Sequence, residues 1–379
     1  MSWIKSKTNV IGYLLIIAIF FFLLEILSFA SLYYLQDRLQ TIIFDPNKIT
    51  KFNTRKSNNY SEQLGWITAK EERDNIGARV SPNIYNSTCI EMFGDSFTFS
   101  FEVSGEFAWP AQLSKLLNCK VNNFGVGGYG SDQATMRHEL TEVTAKISVL
   151  NHLSENIIRN VNQFRTIIYP TNTVTLKPRY VISDENTLDL IPKPDLNKFD
   201  IINSESLKQK LQNEYFIPGG LSGIKEKLLF PYTLSFLDTI INHFHVNSKL
   251  RSIPNHKKFY DKDHASNALN ITYKIMEKFI YNSKSKGQLP IITIIPTCRD
   301  LEYFQKFGEK PYQHLLTELI DNNILHYDFI DKFSKQENFY EYFITCNGHP
   351  NKDGYLFMAE NFKEFLLKLE LDYNLGGKN

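Results

Sequence analysis

Three short segments of this chain carry residue types that could do chemistry together. The first is Gly94-Asp95-Ser96-Phe97-Thr98, where a serine follows an apolar stretch and a glycine. A serine at a tight turn that opens a helix can present its hydroxyl as a nucleophile. The second is Asn123-Phe124-Gly125-Val126-Gly127-Gly128-Tyr129-Gly130, whose glycines let backbone N–H groups approach a ligand closely. Such a turn suits an oxyanion or a phosphate. Its spacing is not the dinucleotide pattern GxGxxG followed by a helix and a later acid. The third is Asn347-Gly348-His349-Pro350-Asn351, where an imidazole could accept the serine proton. Each segment also has a plainer meaning. Gly, Asp and Ser suit any strand-to-helix turn, and a His ahead of a helix is commonly structural.

These segments need a scaffold that brings them to one edge. Apolar patterning predicts strands over 88–93, 120–124, 147–151, 289–295 and 324–329. It predicts helices over 108–117, from Ser131, and over 265–283, 312–321 and 352–369. Strands alternating with helices imply an α/β chain with a parallel sheet covered on both faces, and ligands then bind beyond the carboxyl ends of the strands. All three segments fall there. The stretch 155–258 is rich in Asn, Pro and Lys and reads as an irregular insertion, either a lid or a surface excursion. No internal repeat is present.

Together the segments resemble the SGNH (GDSL-type) hydrolase superfamily, in its membrane-anchored bacterial form. The matching blocks are FGDSFTFSFEV, NFGVGGYGSDQ and NGHPNKDG, and the likeness runs from about Thr88 to the last helix. It implies a three-layer α/β/α flavodoxin-like parallel sheet and a serine esterase that needs no cofactor. Ser96 falls on the nucleophile and His349 on the base. The backbone of Ser96, Gly128 and the side chain of Asn156 fall on the oxyanion hole. Asn156 is taken from His152-Leu153-Ser154-Glu155-Asn156, because the family's GxND pattern is absent. The family's acid lies two or three residues before the histidine, where this chain has Asn347 and Cys346. Three outcomes remain open. A Ser96–His349 dyad suffices, with Asn347 holding the imidazole. A carboxylate such as Asp331, Glu337 or Glu341 orients it instead. Or the chain is a weakened module that only binds. Asp95 is expected to fix the first turn, Thr98 and Asn123 to hydrogen-bond within the scaffold, and Asp132 and Gln133 to cap the next helix. Arg159, Asn160 and Arg165 read first as a solvated helix face, with lining of the substrate pocket as the alternative. His138, His243, His245, His256, His264, His314 and His326 read as structural. The implied substrates are O-acyl esters, commonly acetyl, of extracytoplasmic carbohydrate. An O-acyltransferase on a polysaccharide or a lipid esterase would use the same site.

The N-terminus bears on the compartment. Residues 10–24 and 26–35 are apolar around a single acid, Glu25, and about 20 such residues cross a bilayer core. Glu25 is expected to reach the interface or take up a proton. With Tyr33 and Tyr34 following and no small-residue cleavage site, an uncleaved signal anchor is expected, with Lys5 and Lys7 in the cytoplasm and the bulk outside. Arg38, Lys48, Lys51, Arg55 and Lys56 beyond the span blur the charge asymmetry. The expected division is a tail over 1–8, an anchor over 9–35 and a stalk with a docking segment over 36–82. The hydrolase domain follows over 83–371 with its insertion at about 165–258, and a tail over 372–379. The four cysteines fit either buried thiols or the pairs Cys89–Cys119 and Cys298–Cys346. The first pair would join neighbouring parallel strands. No spacing suits zinc. With 42 Lys+Arg against 41 Asp+Glu, the chain lacks the basic excess of a dedicated nucleic-acid binder. Hydrophobic residues at 42% of 379 supply a substantial core and argue against disorder.

Overall fold

A β-branched run with no polar face is stable only as a strand buried on both sides. Leu289–Ile295 is such a strand, and Ile291, Ile292 and Ile294 have no exposed surface. It belongs to a sheet seen in a computed structural model that describes residues 2–39, 43–52, 57–82, 85–142, 145–225 and 227–373. Arg55, Lys56 and most of the expected C-terminal tail lie outside the described residues, as do the side chains of Lys5 and Lys7.

The five strands are β1 (Thr88–Gly94), β2 (Lys120–Gly125), β3 (Ile147–Leu153), β4 (Leu289–Ile295) and β5 (His326–Asp328). Their spatial order is β2-β1-β3-β4-β5, all parallel, the flavodoxin-like doubly wound arrangement. In register, Gly94 of β1 lies beside Gly125 of β2. The first two candidate turns therefore leave the sheet side by side.

Among the described residues, eight helices have nine residues or more: α1 (Ser2–Leu39), α2 (Trp109–Leu117), α3 (Ser131–Leu140), α4 (Tyr232–Asn242), α5 (Ala268–Ser285), α6 (Cys298–Phe307), α7 (Gln313–Asp321) and α8 (Lys352–Tyr373). On one face α2 packs with α8, where the buried Trp109 meets the rings of Phe329 and Phe362 at 5.9 and 5.8 Å. On the other, α3 packs with α5, where Phe279 lies 6.3 Å from Phe93 and 4.8 Å from His138. Local chemistry sets the helix ends. Pro110 opens α2 and Asn118, at φ 55°, closes it. Helix α6 has no counterpart among the sequence expectations, yet Thr297 and Asp300 form the capping box that starts it.

The chain divides into two compact units. The sheet unit holds residues 52–165, 175–195 and 252–379. Residues 57–82, part of the expected stalk and docking segment, are folded within it: Trp66 and Ala78 are buried, and Arg79 N donates to Asn123 O at 2.8 Å. The other unit holds residues 1–51, 166–174 and 196–251. The stretch 155–258 is not irregular. It contains a hairpin, Arg179–Ile182 with Leu188–Ile191, and the helices Lys198–Ile202, Ser204–Lys210, α4 and Phe244–Arg251. Helix α1 starts at Ser2, so the expected tail over 1–8 is helical. Its segment Val10–Gln36 has a mean hydropathy of 2.8 and is 6% buried, so it is long and apolar enough to cross a membrane; a signal sequence has the same character. Glu25 is 5% exposed. Its carboxylate accepts N–H groups of Tyr232 (2.5 Å) and Thr233 (3.3 Å) at the start of α4.

Candidate active site

The turn after β1 is closed by sterics and one carboxylate. A side chain at Gly94 would run into Thr98 and the Asn151 carbonyl, and one at Gly125 into the backbone of Phe99. Asp95 then caps the single-turn helix Ser96–Phe99, its Oδ1 accepting from Phe97 N at 2.9 Å. The half-buried Ser96 hydroxyl has no hydrogen-bond partner among the described residues. Asn123 ties this turn to the next. Its amide donates to Thr98 O at 2.9 Å, and its Oδ1 accepts from Gly125 N at 3.0 Å. Thr98 holds the turn through that carbonyl, since its buried hydroxyl has no partner.

The glycine turn after β2 is pinned from outside the sheet. Trp66 Nε1 donates to Gly127 O at 2.9 Å, and the buried Tyr129 hydroxyl donates to Trp66 O at 2.5 Å. Burial pushes the Tyr129 phenol up to about 12, so it stays a donor. Gly128 sits at φ +80°, and a side chain on it would strike the Arg165 guanidinium. That left-handed conformation is why a glycine is needed here. Asp132 is paired with the buried Lys177 and accepts from Gln133 N at 2.7 Å; Gln133 in turn donates to Leu64 O at 2.7 Å.

The residue that joins the first two turns to the segment after β3 is Arg159. Its position in ENIIRN reads as a solvated face, but it is 5% exposed. Its Nη1 donates to Asp95 Oδ2 (2.8 Å), Tyr129 O (2.9 Å) and Asn156 Oδ1 (2.9 Å), and Nη2 pairs with Glu155. One guanidinium thus links the neighbours of Ser96 and Gly128 to Asn156. Two carboxylates and two further oxygens around one Arg form a strong charge-assisted cluster. Asn156 is fully buried, and its Nδ2 has no partner in the structure. A buried donor without an acceptor is costly unless a ligand supplies one. The available signal was spacing: Asn156 and Arg159 lie three apart on one helix face.

His349 lies against the nucleophile turn. Its ring centroid is 5.0 Å from that of Phe97, the residue after Ser96, and 6.1 Å from that of Phe101. Three features hold its loop. Cys298–Cys346 bonds the loop to the start of α6, just beyond β4. Ile344 N donates to His349 O at 3.0 Å, and Asn351 caps α8 by accepting from Asp353 N and Gly354 N, each at 3.0 Å. Cys89 and Cys119 form the other disulfide, and no described cysteine is free.

Asn347 does not hold the imidazole. It is exposed, and its Oδ1 accepts from Arg299 Nε at 3.1 Å. Nor do the carboxylates expected as substitutes. Asp331 pairs with Lys310 at 2.6 Å, and Glu341 accepts from Asn338 at 2.9 Å; no contact joins Glu337 to His349 among the described residues. The carboxylate facing His349 is Glu102, whose Oε1 is 3.3 Å from Nδ1. Sequence reasoning missed it because nothing in SFEVS marks it and it lies far from the histidine in the chain. Nδ1 is turned to Glu102, and no hydrogen bond joins His349 to Ser96 among the described residues.

A second set of catalytic residue types lies behind β3. His256 Nε2 and Asp300 Oδ1 are 2.7 Å apart, and Ser154 Oγ donates to Asp300 Oδ2 at 2.5 Å. Here the serine bonds the carboxylate and not the imidazole. All three side chains are buried, and the serine is turned away from the imidazole that would have to take its proton. Burial opposes charge on Asp300, but His256, Ser154 and Thr297 N outweigh it and hold the carboxyl below its usual range. His152 bridges Ser131 Oγ (2.7 Å) and the Tyr260 hydroxyl (2.8 Å) and is pushed down to about 3 by burial. This network braces the turn that carries Asn156.

No protein-family model matches the chain, and no curated protein matches it. Among solved structures it is similar to a member of the lipolytic protein G-D-S-L family from Veillonella parvula. That likeness has a TM-score of 0.37 and 13% identity over 73% of this chain and 97% of that one. It is also similar to an acetyl xylan esterase from the rumen bacterium Butyrivibrio proteoclasticus, with a TM-score of 0.30 and 10% identity over 76% of this chain and 65% of that one. At these TM-scores the likeness carries no argument about the reaction, which rests on the residues themselves.

Proposed function

We propose that the chain is a membrane-anchored serine esterase of the SGNH type, acting outside the cytoplasm on O-acyl esters of carbohydrate. The observation that carries this reading is Arg159, which gathers the turns of Ser96, Gly128 and Asn156 into one site beside His349. The carbohydrate ester follows from the motif resemblance. The extracytoplasmic placement is supported by two disulfides and the apolar α1.

In this reading Ser96 Oγ attacks the ester carbonyl carbon as His349 Nε2 takes its proton. The carbonyl oxygen becomes an oxyanion, held by the N–H groups of Ser96 and Gly128 and by Asn156 Nδ2, the donor left unpaired in the fold. Losing one such donor costs about 2.7–4 kcal/mol of transition-state stabilisation. The intermediate collapses, the C–O bond to the sugar breaks, and His349 returns the proton to the leaving oxygen. Water then attacks the acyl-Ser96, again deprotonated by His349, and the acid is released. A sugar hydroxyl in place of water would give O-acyl transfer. Glu102 is the positioning residue that keeps Nε2 turned to the serine and stabilises imidazolium, which an amide cannot do. Its presence weighs against the reading of a weakened binding module.

The test is covalent labelling of the full chain with a fluorophosphonate, alongside acetate release from an O-acetylated oligosaccharide. Labelling and release in the wild type, both lost in Ser96→Ala, support the reading. A wild type that neither labels nor cleaves any ester ends it.

A further inference from the structure

Helix α4 is amphipathic in the wrong sense for water. Leu234, Leu237 and Ile241 follow at intervals of three and four and so share one stripe, and Phe230 lies in the turn just ahead of the helix. These four face outward, at 63, 47, 59 and 66% exposure. Thr239, on another face, is fully buried. The helix has one charged residue, Asp238, and it is paired with Lys225. Leu229, just ahead of the stripe, is 54% exposed. A contiguous row of large apolar side chains in solvent marks an interaction surface.

The contacts of α1 say what covers it. Glu25 accepts the first two N–H groups of α4, so a carboxylate from the apolar helix caps the positive end of its neighbour. The Ser28 and Thr233 hydroxyls are 3.3 Å apart, and the rings of Phe29 and Tyr232 are 4.9 Å apart. Val10 to Glu25 covers about 22 Å at 1.5 Å per residue. The hydrocarbon core is about 30 Å thick, so α4 begins within the last ~8 Å of the core that α1 crosses. That depth matches the ~5–10 Å to which interfacial amphipathic helices sink. On α1 itself, Leu23 and Leu27, which flank Glu25 in sequence, are likewise exposed.

We propose that α4 and the turn before it lie in the membrane, with Phe230 and the stripe from Leu234 to Ile241 immersed in lipid acyl chains beside α1. This rests on the anchor reading of α1. It also gives Glu25 a purpose: its charge in an apolar stretch is tolerated because α4 supplies the donors. Lys227, exposed just ahead of the stripe, is then placed for anionic headgroups.

The test uses the full chain in phosphatidylcholine–phosphatidylglycerol vesicles whose acyl chains are brominated. With Trp3 replaced by Phe, a tryptophan is introduced singly at Leu237, at Leu14 of α1, or at Tyr281, an exposed position on α5. Leu237→Trp and Leu14→Trp are expected to be quenched at least twofold more than Tyr281→Trp. If Leu14→Trp is quenched and Leu237→Trp behaves like Tyr281→Trp, the anchor stands and the α4 proposal falls. If neither is quenched, both fall. If Leu237→Trp is shielded from bromolipid and from aqueous acrylamide alike, protein covers the stripe, and the lipid assignment is overturned.

Discussion

The two halves of the candidate site are held in different ways. The oxyanion half is buried and cross-linked by charge: Arg159, Asp95 and Asn156 have 5% exposure or less. The base half is a surface loop. The His349 and Glu102 side chains are 22% and 43% exposed, and a disulfide and a helix cap tether the loop. Preorganised donors must not move while charge develops on the oxygen, whereas a base must turn between two proton partners. The division therefore matches the work each half performs in the proposed reaction.

That contrast can be broken by substitution. The largest effect is expected for Ser96→Ala, with kcat on an ester lowered on the order of 10⁴-fold or more and little change in melting temperature. Next is Arg159→Leu, which leaves Asp95 buried without its partner. Losing one member of a buried pair costs about 3–5 kcal/mol, so thermal unfolding and activity should both suffer. Glu102→Gln should differ in kind. At an exposed pair the loss is smaller, roughly 10- to 100-fold in kcat, with KM and stability unchanged. Glu102→Asp should restore part of the rate, and added formate should rescue Glu102→Ala, which a purely structural role would not allow. An oxyanion half as exposed as the base half would give equal stability losses in these two experiments.

Acid should strike the buried half first. Burial holds His138 at about 4 and His152 at about 3, against 6.5 for the free group. Below that value the unfolded chain binds protons that the fold refuses, so stability falls with pH, by up to about 1.4 kcal/mol per pH unit for each group. Asp300 has a depressed folded value, so its contribution is present above 3.8 and is lost as pH falls through the folded value. Melting temperatures measured between pH 7 and 4 should drop steadily, and Gln at position 138 should flatten the curve. The smallest effect belongs to Asn347→Asp. Because Arg299 holds that side chain, activity should change by less than about twofold; a large gain would put the imidazole back in contact with position 347.

What could be read in advance followed the strength of the local signal. The run 289–295 and the glycine turn after β2 were legible because buried strands and tight turns admit few residue types. The disulfide partners were among the stated options because parallel neighbours place Cys89 beside Cys119. Glu102 was not legible, because a carboxylate that meets its histidine through tertiary folding leaves no spacing to read. Arg159 was misread because a charged residue on a short helix is ordinarily solvated, and only the convergence of three loops makes it central. The insertion hid its helices since Asn and Pro, which mark caps, also look like loop.

The Cys298–Cys346 bond has a consequence for the timing of activity. It is one of the few ties between the histidine's loop and the end of β4. In a reducing cytosol that tie would be open and the imidazole free to wander from the serine. In the proposed reading, a newly made chain would therefore be a poor catalyst until this bond forms.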